Sequence, residues 1–250
     1  MKLFNKSFIN IISSFQTPKM ATPIELLWKQ ALKTFTGCEN VGYKLCQKNF
    51  EKLHSMMNNI KADDVKVDNQ VLDYVANTNA PMCVIDIFDN KDITIAVFLL
   101  KNGVTLPMHD HPGMYGLLKV ISGTVQIDSY TSQTPPGHII RPNEEIHAIK
   151  HASVIVQKTD PACILKPQDH NLHEITCLKG PAAFLDILSP PYKLESENSL
   201  GRSCIFFQKI SSNSPTSNDS PERVKLRATS EPPASCFYST NIKYLGPPLR

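Results

Sequence analysis

The chain has 250 residues, of which 41% are hydrophobic and 20% are charged, and its 26 basic and 23 acidic residues leave a net charge of +3. The hydrophobic fraction is that of a globular protein and argues against a wholly disordered chain. No apolar run reaches the ~20 residues of a membrane-spanning helix, and the nearly balanced charge argues against a nucleic-acid or membrane-surface partner. Seven scattered cysteines without a Cys-x-x-Cys pair are typical of reduced thiols in a cytosol-like compartment.

The first 20 residues form a leader that contains lysines but no acidic residue. Its apolar stretch is broken by Asn and Ser and lacks a signal-peptide cleavage site, and the arginines of a mitochondrial transit peptide are absent. We therefore interpret residues 1–20 as a disordered leader, with organelle targeting as the alternative. The expected location is the cytoplasm, and the mitochondrion is the alternative to it.

Two helices are predicted before the first strand. Thr22 and Glu25 form a capping box at the start of the first helix, and apolar residues continue at helical spacing to Phe35. A second helical pattern covers about 41–57. Together these elements predict a helical cap over residues 21–60.

From residue 81 onward, short runs rich in Val, Ile, Leu and Phe alternate with turn residues. Many short strands at this spacing are typical of an antiparallel sandwich or barrel rather than of alternating strand–helix–strand units. We therefore predict one all-β dominated domain over 21–210, a barrel of the jelly-roll type that carries the helical cap. The predicted strands cover residues 83–88, 93–100, 117–121, 125–130, 139–141, 146–150, 154–158, 162–165, 172–177, 183–188 and 204–209.

The composition changes again after the last of these strands. Residues 211–235 are dense in Ser, Pro, Asn and charge, and we interpret them as a disordered insertion. Aromatic and aliphatic residues return in 236–250, so this C-terminal segment is expected to dock on the barrel.

His109 and His111 are the informative pair among the eight histidines. On a strand, residues i and i+2 point to the same face, so both imidazoles would project to one side and could reach one metal ion. A third ligand would have to come from elsewhere in the fold. Two solvated loop histidines are the alternative, because a His-x-His pattern alone is a weak signal.

The surroundings of this pair are similar to a known motif. Gly103 stands six residues before His109 and further glycines follow, which resembles the first motif of the cupins, whose fold is a double-stranded β-helix barrel. Many cupins use a Glu as a fourth ligand, but Tyr115 or Gly116 stands at that position here. The departure favours an all-histidine site.

Two longer blocks resemble the cysteamine dioxygenase and plant cysteine oxidase family of thiol dioxygenases. The first is His-Asp-His-Pro-Gly-Met at 109–114 with Gly-Leu-Leu-Lys-Val at 116–120. The second is Asp-His-Asn-Leu-His-Glu at 169–174 with Gly-Pro-Ala-Ala-Phe-Leu-Asp-Ile-Leu-Ser-Pro-Pro-Tyr at 180–192. A weaker similarity covers residues 22–210 and the Pro-rich C-terminal end.

The resemblance implies a site and an activity. It implies that His173 is the third ligand of one Fe(II) per chain, and that Asp186 and Tyr192 lie in the substrate pocket or beside the ligands. The implied reaction adds both atoms of O2 to an aminothiol, either cysteamine to give hypotaurine or a protein N-terminal cysteine to give its sulfinic acid. The second substrate would link the protein to oxygen-dependent N-degron proteolysis and hypoxia sensing. The partners are then an aminothiol or N-terminal cysteine proteins and O2, with no nucleic acid or membrane, and the chain is expected to be a monomer.

The charge of such a site agrees with that reaction. Three neutral imidazoles leave the +2 charge of Fe(II) uncompensated, and a thiolate substrate brings the missing negative charge. Asp186 lies in a very apolar run and must be paired or functional there; it could anchor an amine, or hydrogen-bond to barrel backbone or a ligand histidine. Two other functions stay open, a metal-binding cupin scaffold without redox activity and a cupin isomerase that uses another metal.

The remaining candidates are given structural interpretations. Some animal relatives have a Cys and, two residues later, a Tyr that can cross-link, but Phe206 follows Cys204 here, so no thioether is predicted. His147 and His151 are four residues apart, yet the strand-like pattern around them argues against a metal pair. His170 is interpreted as a loop residue or a neighbour of the ligands.

Overall fold

The structure, a computed structural model, describes residues 20–193, 201–213, 222–232 and 237–249. It begins with a helical region: α1 spans Pro23–Phe35, α2 spans Gln47–Asn58, a 3-10 helix spans Ala62–Val65 and α3 spans Asn69–Asn77. No helix of the described ranges is long and apolar enough to cross a membrane.

The capping box predicted for α1 is confirmed. The Glu25 carboxylate accepts a hydrogen bond from the Thr22 N–H at 2.7 Å, and the Thr22 hydroxyl accepts one from the Glu25 N–H at 3.4 Å. The helical region extends beyond residue 60, because Asp68 caps the additional helix α3 by accepting a hydrogen bond from the Val71 N–H at 3.0 Å.

Within the described ranges eleven strands follow, and all of their pairings are antiparallel except that of the last strand with the first. The predicted cupin-type barrel with an N-terminal helical region is confirmed. The predicted strand at 139–141 is absent. The strands are β1 Met82–Asp89, β2 Thr94–Leu100, β3 Thr105–Asp110, β4 Tyr115–Ser132, β5 Glu145–Lys150, β6 Val154–Gln157, β7 Cys163–Leu165, β8 Leu172–Ser189, β9 Phe206–Asn213, β10 Arg223–Thr229 and β11 Ser239–Asn241.

The two long strands, β4 and β8, organise the barrel. Each has 18 residues where the sequence predicts two short strands, and they pair from Tyr115↔Ser189 to Tyr130↔Leu172. Gly123, which stands between the predicted strands 117–121 and 125–130, lies at a shift of register within β4 with a φ of +75°. A Cβ there would lie 2.6 Å from the Lys179 carbonyl oxygen, so glycine permits a bulge where the strands approach closely.

The buried side chains form three clusters. One joins the helices to the outer face of the sheet, for example through Leu27, Leu53 and Val97. A second fills one part of the barrel around Phe184. The third includes Phe207 of β9 and the buried residues Val224, Leu226 and Ala228 of β10.

The interpretation of 211–235 as a disordered insertion is wrong for its described part. β10 lies between β9 and β5, and Val224, Leu226 and Ala228 are buried while charged residues alternate with them. This two-residue period is that of a half-buried strand, but the Ser- and Pro-rich composition of the whole segment obscures it. Residues 214–221 and 233–236 lie outside the described residues, as do residues 1–19 of the predicted leader.

The C-terminal segment lies against the barrel. Its strand β11 pairs in parallel with β1, from Met82↔Ser239 to Val84↔Asn241, and the Ile242 N–H donates to the Val84 carbonyl at 2.8 Å. The side chains of Ile242 and Tyr244 pack against the cluster beneath the helices. Phe237 and Tyr238, which directly precede β11, line a cavity inside the barrel.

Candidate metal centre

Three histidines from two neighbouring strands meet inside the barrel. His109 is near the end of β3, His111 follows that strand directly, and His173 is the second residue of β8. His109 and His173 are direct partners in the β3–β8 ladder, where opposed side chains are close neighbours. The structure therefore brings together the three residues that the sequence and the resemblance nominate as ligands.

The ring nitrogens of these histidines face one another. The Nε2 atoms of His111 and His173 are 3.1 Å apart, those of His173 and His109 are 3.3 Å apart, and all three residues are buried. Ligand nitrogens about 2.1 Å from one ion, at angles of about 90–110°, are separated by roughly 3.0–3.4 Å. The cluster therefore has the dimensions of a site for a single metal ion.

Hydrogen bonds on the outer nitrogens orient two of the rings. His109 Nδ1 lies 2.9 Å from the Pro107 carbonyl oxygen. His111 Nδ1 lies 2.9 Å from the Tyr192 hydroxyl, which itself donates to the Asp110 carbonyl at 2.5 Å. Both Nδ1 atoms can then carry the proton, which leaves the Nε2 lone pairs directed at the centre of the cluster.

Burial keeps the three imidazoles neutral. It lowers the pKa of His109 to about 4, and burial together with the neighbouring histidines lowers the pKa of His111 and His173 well below the ordinary value. A metal ion entering near pH 7 would therefore displace no proton from the ligands. Two lone pairs at such short range repel each other, and a cation between them would remove that repulsion.

No carboxylate joins this cluster within the described part of the chain. Asp110 turns away, and its carboxylate accepts a hydrogen bond from the Ile205 N–H at 2.9 Å. The Tyr115 ring packs against Phe35 and Phe50 of the helices, and a Cβ on Gly116 would lie 2.6 Å from the Leu165 side chain. The position of the usual cupin Glu thus offers no ligand here.

A cavity of about 260 Å³ opens beside the three histidines. Most of its wall is apolar, and the polar side chains other than the histidines come from Asp186, Tyr192, Cys204, Tyr238 and Ser239. A larger groove of about 820 Å³ on the surface shares none of these lining residues. The apolar side chains that line the cavity are those of Met82, Phe98, Leu106, Ile175, Phe184, Leu188, Phe206, Pro232 and Phe237.

Asp186 has an unpaired carboxylate oxygen in this setting. The residue is only 6% exposed, its Oδ1 has no hydrogen-bond partner, and burial raises its pKa to about 7. A buried polar oxygen without a partner costs roughly 1–3 kcal/mol. An orphaned oxygen on a residue that lines the cavity favours the amine-anchor interpretation over a purely internal hydrogen bond.

Phe206 lies next to the histidine cluster but cannot form the cross-link to Cys204. It is opposite His109 in the β3–β9 pairing, with ring centroids 6.3 Å apart, and it has no hydroxyl group. Burial raises the pKa of the Cys204 thiol to about 12, so this thiol stays protonated. The absence of a thioether remains a prediction for this chain.

Sequence reasoning missed the contribution of the C-terminal segment to the cavity. Phe237, Tyr238 and Ser239 line it although they lie more than 60 residues after His173. The return of aromatic residues at 237–238 predicts that the C-terminal segment docks on the barrel. The sequence does not indicate that these residues lie beside the histidine cluster. His54 and His147 lie elsewhere: the first hydrogen-bonds to the Ala162 carbonyl at 2.8 Å, and the second is exposed on β5.

Replacing Tyr192 by phenylalanine tests the orientation of His111. The variant loses the hydroxyl next to Nδ1, so we expect Fe(II) to bind about 10–100-fold more weakly with the fold intact. Competition with a chelator under anaerobic conditions measures this change. Tyr130→Phe is the matched control, because the Tyr130 hydroxyl bonds to Glu174 instead; equal affinities in both variants would contradict the assigned role.

Comparisons with known proteins agree with these features. The family model PCO_ADO matches residues 56–249. The 2-aminoethanethiol dioxygenase of Mus musculus is 32% identical over 255 residues, covering 91% of this chain and 96% of the mouse protein. Plant cysteine oxidase 2 of Arabidopsis thaliana is 26% identical over 189 residues, covering 74% of this chain and 66% of the plant protein.

Similar solved structures include KdgF from Halomonas, with a TM-score of 0.33 and 14% identity over 44% of this chain and 80% of that one. An oxalate oxidase in complex with the substrate analogue glycolate has a TM-score of 0.34 and 13% identity over 52% of this chain and 57% of that one. The family model spans most of the chain and the mouse relative almost all of it. This chain therefore belongs to the PCO_ADO family.

Proposed function

We propose that this protein is an Fe(II)-dependent thiol dioxygenase that converts an aminothiol to a sulfinate with O2. The observation that carries the proposal is the buried cluster of three neutral histidines beside a cavity with one orphaned carboxylate oxygen. The names of the relatives, 2-aminoethanethiol dioxygenase and plant cysteine oxidase, support the same reaction class.

The residues present fit a ferrous ion. His109, His111 and His173 would hold it through their Nε2 atoms, and when bound it would supply the redox chemistry that joins O2 to sulfur. The overall reaction, RS⁻ + O2 → RSO2⁻, is balanced, because sulfur is oxidised by four electrons and O2 is reduced by four. The three histidines are neutral ligands and leave the charge of the metal ion uncompensated, so a thiolate substrate would supply the negative charge.

Asp186 would bind the amino group of the substrate. An ammonium ion next to its unpaired Oδ1 would satisfy that oxygen and favour the ionised carboxylate. Holding the amine at Asp186 would fix the thiol at the other end of the molecule toward the histidines. This arrangement would select thiols that carry a free amine a short distance from sulfur.

The apolar wall of the cavity would keep water from the reacting sulfur. Phe98, Phe184 and Phe206 contribute rings to this wall. The half-exposed Tyr238 marks a side of the cavity that reaches solvent. Such a cavity accepts free cysteamine, which would give hypotaurine, or the N-terminal cysteine of a protein whose chain extends outward. Oxidation of an N-terminal cysteine would make the enzyme a step in oxygen-dependent N-degron proteolysis. It would act there as a monomer in the cytoplasm.

The test is a direct assay of the iron-loaded protein. It is incubated under air with cysteamine and, separately, with a peptide that begins with cysteine, and the product masses are read. We expect at least one thiol to gain the mass of two oxygen atoms. If iron stays bound and neither thiol is oxidised, the proposed activity is wrong and a metal-binding scaffold is favoured.

A further inference from the structure

A second group of metal-binding side chains lies on the surface, apart from the three buried histidines. It consists of His151, which follows β5, and Asp169 and His170, which precede β8. One ligand atom from each residue lies within 4.8 Å of the others. The His170 Nδ1 and Asp169 Oδ1 atoms are 2.8 Å apart, and the two imidazole rings are stacked with centroids 3.8 Å apart.

Thr131 of β4 holds this group together from below. Its hydroxyl accepts the His170 N–H at 3.0 Å and lies 2.8 Å from His151 Nε2 and 3.4 Å from Asp169 Oδ1. His170 has a φ of +55°, a left-handed conformation that a non-glycine residue seldom adopts. The hydrogen bond from the His170 N–H to the Thr131 hydroxyl stabilises this conformation, in which the His170 ring lies over that of His151.

The charges of the group suit a divalent cation. Two protonated imidazoles at this stacking distance would repel each other, and both burial and His170 lower the pKa of His151. Burial raises the pKa of Asp169, but hydrogen bonds from His170 and Thr131 and the nearby Lys166 outweigh it and hold this pKa below its ordinary value, so the carboxylate is ionised. The group therefore offers one negative oxygen and two nitrogens whose lone pairs can be freed.

We propose that His151, Asp169 and His170 form a second metal site, which binds a divalent transition-metal ion of the Zn²⁺ type. Two imidazoles and one carboxylate are a protein ligand set that zinc accepts, with water in the remaining position. The His170 and Asp169 side chains are 41% and 49% exposed, so an ion can enter from solvent and keep bound water. Ligation requires the two rings to open from their parallel stacking, which the exposure of the His170 ring allows.

The proposed site is independent of the proposed dioxygenase activity. The loop that carries it continues into the buried cluster, because the Asn171 carbonyl accepts a hydrogen bond from the His111 N–H at 2.8 Å. A test must therefore count ions at the two sites separately. Metal content does this without any measurement of activity.

The experiment measures the Zn²⁺ bound by the full chain after metal removal and equilibrium dialysis against Zn²⁺. We expect two ions per chain in the unaltered protein and one in the double variant His151→Asn, His170→Asn. The variant His111→Ala is expected to lose the ion of the buried cluster and keep the surface one. His147→Asn, an exposed histidine outside both groups, is the matched control and should retain two ions.

Other results overturn the proposal. Loss of all bound zinc in His111→Ala, or two ions in the double variant, would show that the surface group does not bind zinc. If His147→Asn also lost one zinc ion, the zinc binding would not be specific to the surface group. Asp169→Asn provides a second variant that keeps both rings, and circular dichroism of each variant establishes that the fold is retained.

Discussion

Replacing His173 by alanine is expected to abolish stoichiometric iron binding and the oxidation of thiols. A structural zinc site contributes about 10–16 kcal/mol of apparent binding free energy through four ligands, or roughly 2.5–4 kcal/mol for each ligand. Losing one of three ligands should therefore weaken binding on the order of 100–1000-fold. Among the described residues no other histidine, cysteine or carboxylate belongs to this group, so no side chain stands ready to replace His173.

Iron content after anaerobic loading and gel filtration measures this effect, and thiol oxidation under air is the second readout. His147→Ala is the control, since that side chain is exposed on β5. It should retain one iron and full activity. Stoichiometric iron in His173→Ala would contradict the assignment of the third ligand.

Asp186→Asn is expected to weaken recognition of the substrate amine without changing iron binding. Truncating one partner of a buried charge pair costs about 2–5 kcal/mol, so kcat/KM for cysteamine should fall at least about 30-fold. Iron content should remain unchanged, because Asp186 is not in the histidine cluster. A thiol of the same length without an amine, 2-mercaptoethanol, should be used equally poorly by both proteins; an equal loss for both thiols would contradict the amine-anchor role.

The same substitution has a predicted effect on stability in the metal-free protein. Burial raises the pKa of Asp186 to about 7, whereas an unfolded Asp titrates near 3.9. The folded state therefore binds the Asp186 proton more tightly than the unfolded state does. The stabilisation of the folded state by this proton is complete below pH ~4 and is lost as the pH rises through about 7.

Asparagine carries no charge at any of these pH values. We expect Asp186→Asn to exceed the unaltered protein in free energy of unfolding at pH 8, by up to ~4 kcal/mol at about 1.4 kcal/mol for each pKa unit, and to differ little near pH 4. Urea unfolding at the two pH values measures the difference. A gap that does not depend on pH would mean that the carboxylate is not the cause.

Local sequence patterns predicted much of the fold. The Thr22–Glu25 capping box depends on residues three apart, and the structure contains it as predicted. Alternating strand patterns located most of the barrel but divided β4 and β8. Gly123 in β4 and Gly180 in β8 are typical turn residues in sequence, whereas each lies within a continuous strand of the sheet. The strand β10 was missed because composition outweighed its short alternation.

The candidate site divides in the same way. The strand period placed His109 and His111 on one side, and the resemblance to thiol dioxygenases nominated His173, Asp186 and Tyr192. Tertiary structure alone decided that the nitrogens meet at 3.1–3.3 Å and that the C-terminal segment closes one wall of the cavity. Hydrogen bonds and side-chain periods within a turn or strand depend on near neighbours in the chain. Distances between residues that are 62 or more positions apart depend on strand register and packing, which no short stretch of sequence specifies.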